Sequence, residues 1–255
     1  MSGVVTIARN DFALLRRDPL PATLLVVMPL VVMAFMRPAF RPVLQAEGYP
    51  VANGAEQVVP GITVMFAVFV VTFAGVGFFR DHIWGTWDRI LSAPLPGRTI
   101  MLGKLTPALT LILLQQLLLF GAGTLFFDLH VRGSVAGLAL VDLAFAAWLL
   151  AFSFASVAYS KTFQQLLAIS NVGAIVLAGL GGALTPLKTL PSWAQTISPA
   201  TPTHWAMTGF NRVILHGRAF SSAVVPALVL LGFAALFAVL GALRFRLDEP
   251  KGGTL

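Results

Sequence analysis

Cysteine is absent from the 255 residues. Disulfides, thiolate metal sites and cysteine nucleophiles are therefore excluded. Charge is scarce as well. Asp, Glu, Lys and Arg make up 11% of the chain, against roughly 25% in soluble globular domains. There is no block of like charges and no basic face interleaved with exposed aromatics, so the usual footprint of nucleic-acid binding is missing. The formal charge of +7 instead suits basic residues that flank membrane spans and face anionic head groups.

Catalytic and metal-binding patterns are missing too. His82, His130, His204 and His216 are scattered, with no H-E-x-x-H and no ligand pair at helical spacing. No G-x-S-x-G elbow occurs. Gly97-Arg98-Thr99-Ile100-Met101-Leu102-Gly103-Lys104-Leu105 comes near a phosphate loop but fails its spacing, and Leu105 stands where the magnesium-binding hydroxyl belongs. Asp81 and Asp88, each beside an arginine, read as a solvated, salt-bridging helix rather than an acid pair. The expectation is no metal, no cofactor and no ATP site in this chain.

What is abundant is apolar sequence: 57% of residues are hydrophobic and the mean hydropathy is +0.86. A water-soluble fold of this length has no room to hide that surface, so a bilayer must solvate most of it. Stretches near the roughly 20 residues needed to span are read at Leu20–Met36, Val58–Phe79, Met101–Phe127, Val135–Tyr159, Thr162–Leu184 and Val224–Leu243. Ten-residue alternating segments are lacking, which argues against a barrel. The fold class is an all-α membrane protein of six transmembrane helices, one domain over residues 1–255. No small-residue cleavage site follows the first eighteen residues, so the first span is expected to remain as an anchor.

Six spans put both termini on one side. Arg9, Arg16, Arg17, Arg80, Arg89, Arg98, Lys104, Lys161, Arg244, Arg246 and Lys251 fall on that side. Arg37, Arg41, Arg132, Lys188, Arg212 and Arg218 fall on the other. The larger set marks the cytoplasmic side.

Residues 4–18 read as an amphipathic helix lying in the interface plane. Val4, Val5, Ile7, Ala8, Phe12, Leu14 and Leu15 share one half of the wheel, and Thr6, Arg9, Asn10, Ala13, Arg16 and Arg17 the other. Asp11 interrupts the apolar half. Asp18-Pro19 ends the helix, because the residue before proline resists the α conformation. Residues 185–223 form the longest outer connection. Its apolar residues, cut by Pro186, Pro191, Pro199 and Pro202, predict short re-entrant helices buried against protein.

Between the second and third spans lies Arg80-Asp81-His82-Ile83-Trp84-Gly85-Thr86-Trp87-Asp88-Arg89. It is too polar to span, yet Ile83, Trp84, Trp87, Ile90 and Leu91 recur at roughly helical spacing. Residues alone allow two readings over 80–93: a helix that meets a partner, or an interfacial helix whose tryptophans sit among head groups. Within the spans, Asp142 lies about two turns into the fourth. It is a functional candidate by its charge, or a hydrated group near the interface. Gln115, Gln116 and Asn171 either line a path or bond between helices. Phe66, Phe69 and Phe73 share one face of the second span, as packing or as a cavity wall.

The order Arg80-Asp81, Gly85-Thr86, Arg89-Ile90-Leu91, Pro94-Leu95, Gly103-Lys104 resembles the cytoplasmic loop of the ABC type-2 transporter permeases, with Asp81 where glutamate is common. Gly182, Pro186-Leu187, Leu190-Pro191, Trp193, Ser198-Pro199, Pro202, Trp205, Phe210-Asn211-Arg212 and Gly217 resemble that family's outer region. Arg17-Asp18-Pro19 matches the end of its first helix. The compact size is similar to drug-export permeases of the daunorubicin-resistance kind. The resemblance implies a coupling helix over 80–93, with Asp81, Ile83, Trp84, Gly85, Thr86, Trp87, Arg89 and Ile90 meeting the ATPase. It implies two permease subunits, identical or similar, above two ATPase subunits that hold ATP and magnesium. It also implies a cavity lined by the second and fifth spans, at Phe66, Phe69, Phe73 and Asn171, and outward movement of a hydrophobic or amphipathic, drug-like compound through the plasma membrane. Export of a lipid, glycolipid or polysaccharide fits the same loop. An ion-gradient transporter needs midplane ionisable residues, for which only Asp142 qualifies, and a membrane enzyme needs a polar cluster that is not apparent.

Overall fold

The structure is a computed structural model that describes residues 3–17 and 20–245, apart from the side chains of residues 15, 16, 21, 22 and 74. The helix end assigned to Asp18-Pro19, the side chains of Leu15 and Arg16, and the basic residues Arg246 and Lys251 lie outside it. Among the described residues ten α-helices run in order: α1 Gly3–Arg17, α2 Leu20–Ala46, α3 Ala55–Ile83, α4 Thr86–Leu91, α5 Gly97–Phe126, α6 Val135–Tyr159, α7 Phe163–Leu180, α8 Ser192–Ile197, α9 Pro202–Ile214 and α10 Ser221–Arg244. Among the described residues there is no strand. Six of these helices are long and apolar enough to cross a membrane: α2, α3, α5, α6, α7 and α10. The all-helical, six-span architecture read from the sequence is the one observed.

The core sits where α6 meets α10, α9 and α3. Trp148 is fully buried. Phe145 and Phe152 stack on it at centroid distances of 5.4 Å each, and Phe237 meets it edge-on at 6.4 Å. Around this stack α6 and α10 offer Ala144, Ala151, Ala155, Ala227 and Ala234, all buried. Small residues let backbones approach, which is how helices associate when lipid is as apolar as the interface. The outer connection is not a loose loop. Helix α9 buries Ala206, Met207, Phe210, Val213 and Ile214 completely.

Three expected boundaries need correction. The first span does not stop at Met36 but continues to Ala46 through Pro38 and Pro42. Apolar counting ends at Arg37, yet Phe40 packs on the core and Leu44 is buried with Ala52 and Leu215. Tertiary burial overrides the propensity that two prolines lower. The fifth span ends at Leu180, not Leu184. Its last carbonyls are taken from outside the helix: Thr203 Oγ1 donates to Leu177 O at 2.6 Å and Ser198 Oγ to Leu180 O at 2.5 Å. The polar segment is not one helix over 80–93. Arg80–Ile83 completes α3, and α4 starts afresh after Gly85.

Prolines inside spans have partners that spacing alone does not reveal. Pro29 has no N–H, so the carbonyl of Leu25, four residues earlier, loses its helical donor. Gln115 Nε2 of α5 fills that place at 2.8 Å. Pro226 frees Ser222 O in the same way, and Arg212 Nη1 donates to it at 3.1 Å. Gln115 is thus a clamp between α5 and α2 rather than a path-lining group. Replacing Gln115 with Leu should cost on the order of 0.6 kcal/mol, the average for interhelical bonds in membranes. That corresponds to about 1–2 °C in melting temperature for a chain of this size. In a Pro29→Ala background the N–H of residue 29 takes the Leu25 carbonyl, and the Gln115→Leu loss should vanish. Equal losses in both backgrounds, by thermal melting in detergent, contradict the account.

Candidate functional site

The polar segment is built as a short knuckle on the end of α3. Gly85 takes a left-handed conformation, φ 67°, which reverses the chain and which L side chains adopt only with strain. Helix α4 then runs for six residues before the Pro94–Pro96 turn leads into α5. Thr86 Oγ1 donates to Asp81 Oδ1 at 3.1 Å, tying the start of α4 back to α3. Trp87 turns inward and is buried. Its ring stacks on His82 at 4.4 Å and tilts against Phe78 at 6.1 Å. Trp84 turns outward, 60% exposed, with the Arg80 guanidinium 5.6 Å from its ring. Ile83, Gly85, Thr86, Asp88 and Arg89 are exposed beside it, and Ile90 is half-buried. The segment expected to meet a partner as one surface is therefore divided. Ile83, Trp84, Gly85, Thr86 and Arg89 face out, while Asp81 and Trp87 hold the knuckle from within.

Beneath it lies a buried ionic cluster. Lys104 Nζ stands 3.0 Å from both carboxylate oxygens of Asp11 and also pairs with Asp81 Oδ2. Arg80 Nη2 reaches Asp11 Oδ1 at 3.3 Å. Two cations meet two carboxylates, so the group is balanced, and the Lys104 side chain is 1% exposed. Helices α1, α3 and α5 are joined by these contacts. The close approach needs Gly103: a Cβ there would lie 2.7 Å from Ile7 Cβ, so any side chain would push α1 away and pull Asp11 from Lys104. Burial lifts the Asp11 carboxyl above its ordinary 3.8, and Asp81 adds to the rise. The pairing and hydrogen bond with Lys104, and then Arg80, oppose it.

The aromatic face of α3 borders a groove with α2. Phe66, Phe69 and Phe73 line it with Leu20, Leu24, Leu25 and Met28, enclosing about 380 Å³. Phe73 also lines a cavity of about 50 Å³ shared with Asp11, Arg80 and Lys104. Phe73 thus lines both the groove and the small cavity beside the ionic cluster. Asn171 is not in this groove. It is exposed on α7 beside Val172, Ile175 and Val176. Asp142 lies apart from both places, in the second turn of α6, half-buried, with Oδ1 buried and unbonded. Among the described residues no three metal-ligating side chains gather.

Sequence patterning did not identify Asp11 as a member of the site. Its signal was the one flaw in an otherwise apolar half-wheel. A carboxylate at such a position asks for a buried cation, and Lys104 was that cation.

Six apolar helices among the described residues, with a polar knuckle at one end, define a polytopic membrane protein. The profile described as ABC-2 type transporter matches residues 3–215, and the chain belongs to that family, as a membrane permease domain. It is also similar to the ABC transporter G family member 20 of Dictyostelium discoideum, 25% identical over 173 residues, which is 67% of this chain and 23% of that protein. The chain spans less than a quarter of that relative's length.

Breaking a buried ion pair from one side costs about 3–5 kcal/mol, because an uncompensated charge remains. Lys104→Met should be severely destabilising, and adding Asp11→Asn should recover part of the loss by restoring balance. A double variant no better than Lys104→Met contradicts the charge-balanced cluster. Desolvation of the Asp11 carboxyl has a readout of its own, in pH. The folded-state pKa of Asp11 lies above the unfolded one, so its proton-linked contribution is full below about pH 3.8 and is lost as pH rises through the folded-state value. The melting temperature of wild type relative to Asp11→Asn should fall over that window. A flat difference argues against a net desolvated Asp11 carboxyl.

Proposed function

We propose that this chain is the permease subunit of an ATP-driven exporter. Two permeases, identical or similar, pair in the plasma membrane with both termini cytoplasmic. Two copies of a separate ABC ATPase subunit bind beneath and carry ATP and magnesium. The reading rests on the exposed knuckle of Ile83, Trp84, Gly85, Thr86 and Arg89, set on a base locked by Lys104. A contact surface transmits force only if its support does not yield, and a balanced buried cluster joining three helices gives that support. The excess of Lys and Arg on the same side supports the orientation.

Closure of the ATPase pair displaces the knuckle as a rigid body. Motion passes to α1 and α5 through Asp11 and Lys104, and to the groove through Phe73. ATP drives this change only in so far as it favours one arrangement over the other. Phe66, Phe69 and Phe73 form an apolar aromatic wall suited to a planar hydrophobic or amphipathic compound, drug- or antibiotic-like in class. Asn171 joins such a path only where a second subunit brings α7 to face it.

Co-purification with candidate ABC ATPases and reconstitution in vesicles tests the proposal, with daunorubicin as fluorescent probe. Wild type should capture an ATPase and move the probe only with ATP. Trp84→Ala and Arg89→Glu should lower ATP-coupled transport at least tenfold while the protein melts as wild type does. Uptake driven by a proton gradient and indifferent to ATP would falsify the proposal. Phe69→Ala and Phe73→Ala should change probe transport severalfold with ATPase capture intact. Unchanged transport of every probe removes the aromatic wall from the path.

A further inference from the structure

At the end of the molecule opposite α4, the loop after α2, the start of α3, the turn at Leu187–Thr189 and helix α9 enclose a cavity of about 320 Å³. This is within the range of about 300–1,000 Å³ typical of small-molecule sites. Its wall carries Lys188, Arg212 and Arg218. Among the described residues none of the three has a carboxylate within ion-pairing distance. Glu47, the one acid among the described residues of the lining, forms no ion pair with any of them either, so these residues carry two positive charges in excess.

His216 lines the same cavity. Its Nε2 lies 2.7 Å from the Tyr49 hydroxyl, and the two rings stack at 5.9 Å. Burial lowers its pKa first, and Arg218, Lys188 and Arg212 lower it further. Three cations of the lining thus act on one imidazole at the cavity wall. Leu44, Leu187 and Leu215 add apolar surface to the same lining. Asn211 Oδ1 and Glu47 Oε1, on residues lining the same cavity, are buried acceptors with no donor. A buried acceptor without a partner costs about 1–3 kcal/mol, a cost that a ligand hydroxyl removes.

We propose that this cavity binds the phosphate-bearing, hydroxylated head group of an anionic amphiphile. Guanidinium groups match phosphate oxygens in geometry as well as charge, and concave low-dielectric walls focus the field of the three cations. The two buried acceptors select for hydroxyls beside the anion, and the leucines receive the first carbons of an acyl chain. The cavity lies at the far end from the knuckle, so the site is separate from the proposed ATPase contact. Its occupancy is measurable without any ATPase.

The test is binding to the purified full chain in neutral detergent, by calorimetry or native mass spectrometry. The probes are dioctanoyl phosphatidylglycerol, dioctanoyl phosphatidylcholine and glycerol 3-phosphate. Wild type should bind the anionic lipid at least tenfold more tightly than the zwitterionic one. Lys188→Gln with Arg218→Gln should erase that preference and leave phosphatidylcholine binding unchanged. Neither side chain makes a bond that holds the fold, and Arg218→Lys should keep most of the preference. Competition by glycerol 3-phosphate identifies the head group as sufficient and points to a soluble anion as a source. Binding of the lipid alone identifies the membrane as the source. Equal binding of both lipids by wild type, an unchanged preference in the double variant, or binding of none of the three probes overturns the proposal.

Discussion

An ammonium group in an apolar interior is tolerable only beside negative charge, and Lys104 has two carboxylates. Everything at the knuckle end follows from that pairing. Asp11 brings α1 against α5, with the bare backbone of Gly103 allowing the approach. Asp81 brings the end of α3 to the same nitrogen and at the same time anchors Thr86, so α4 inherits its direction. Arg80 supplies the second positive charge and lies over the ring of the outward Trp84. Had the cluster been one ion short, desolvation would oppose it. With two of each sign, position rather than net energy is what it contributes most clearly.

A related economy governs the spans. Hydrocarbon offers no hydrogen bonds, so a carbonyl left without its helical donor must find one in the protein. Pro29 and Pro226 each leave such a carbonyl, and each is met by a side chain from another helix. The prolines therefore specify contacts as well as shape. They say where α5 must lie against α2 and where α9 must lie against α10. Arg212 consequently has two duties. One nitrogen serves the Ser222 carbonyl, and its charge contributes to the outer cavity.

How far the sequence disclosed this depended on the kind of signal. Length and hydropathy were enough for six spans and their order, because a bilayer imposes the same requirement on every spanning segment. Ends were harder. Helix α2 runs on past Arg37 because Phe40 and Leu44 find burial, a fact of tertiary packing. Helix α7 stops early because Thr203 and Ser198, far along the chain, cap it. At the knuckle, helical spacing grouped Trp84 with Trp87, but Gly85 reverses the backbone between them and sends one out and one in. Phe66, Phe69 and Phe73 do share a groove as their spacing implied. Asn171 does not join them in a single chain, and no local pattern carried that information. Asp11 was visible only as a blemish in a wheel, and its meaning lay 93 residues away in the Asp11–Lys104 pair.

The early end of α7 has a consequence for the surrounding lipid. Its 18 residues rise through roughly 27 Å, less than a hydrocarbon slab of about 30 Å, whereas α3 and α5 exceed it. Acyl chains beside α7 must compress or tilt to meet it, at a cost of fractions of a kcal/mol per Å of mismatch. A bilayer around this protein therefore meets a shorter apolar length along α7 than along α3 and α5. Thin, fluid bilayers match the shorter flank at least cost.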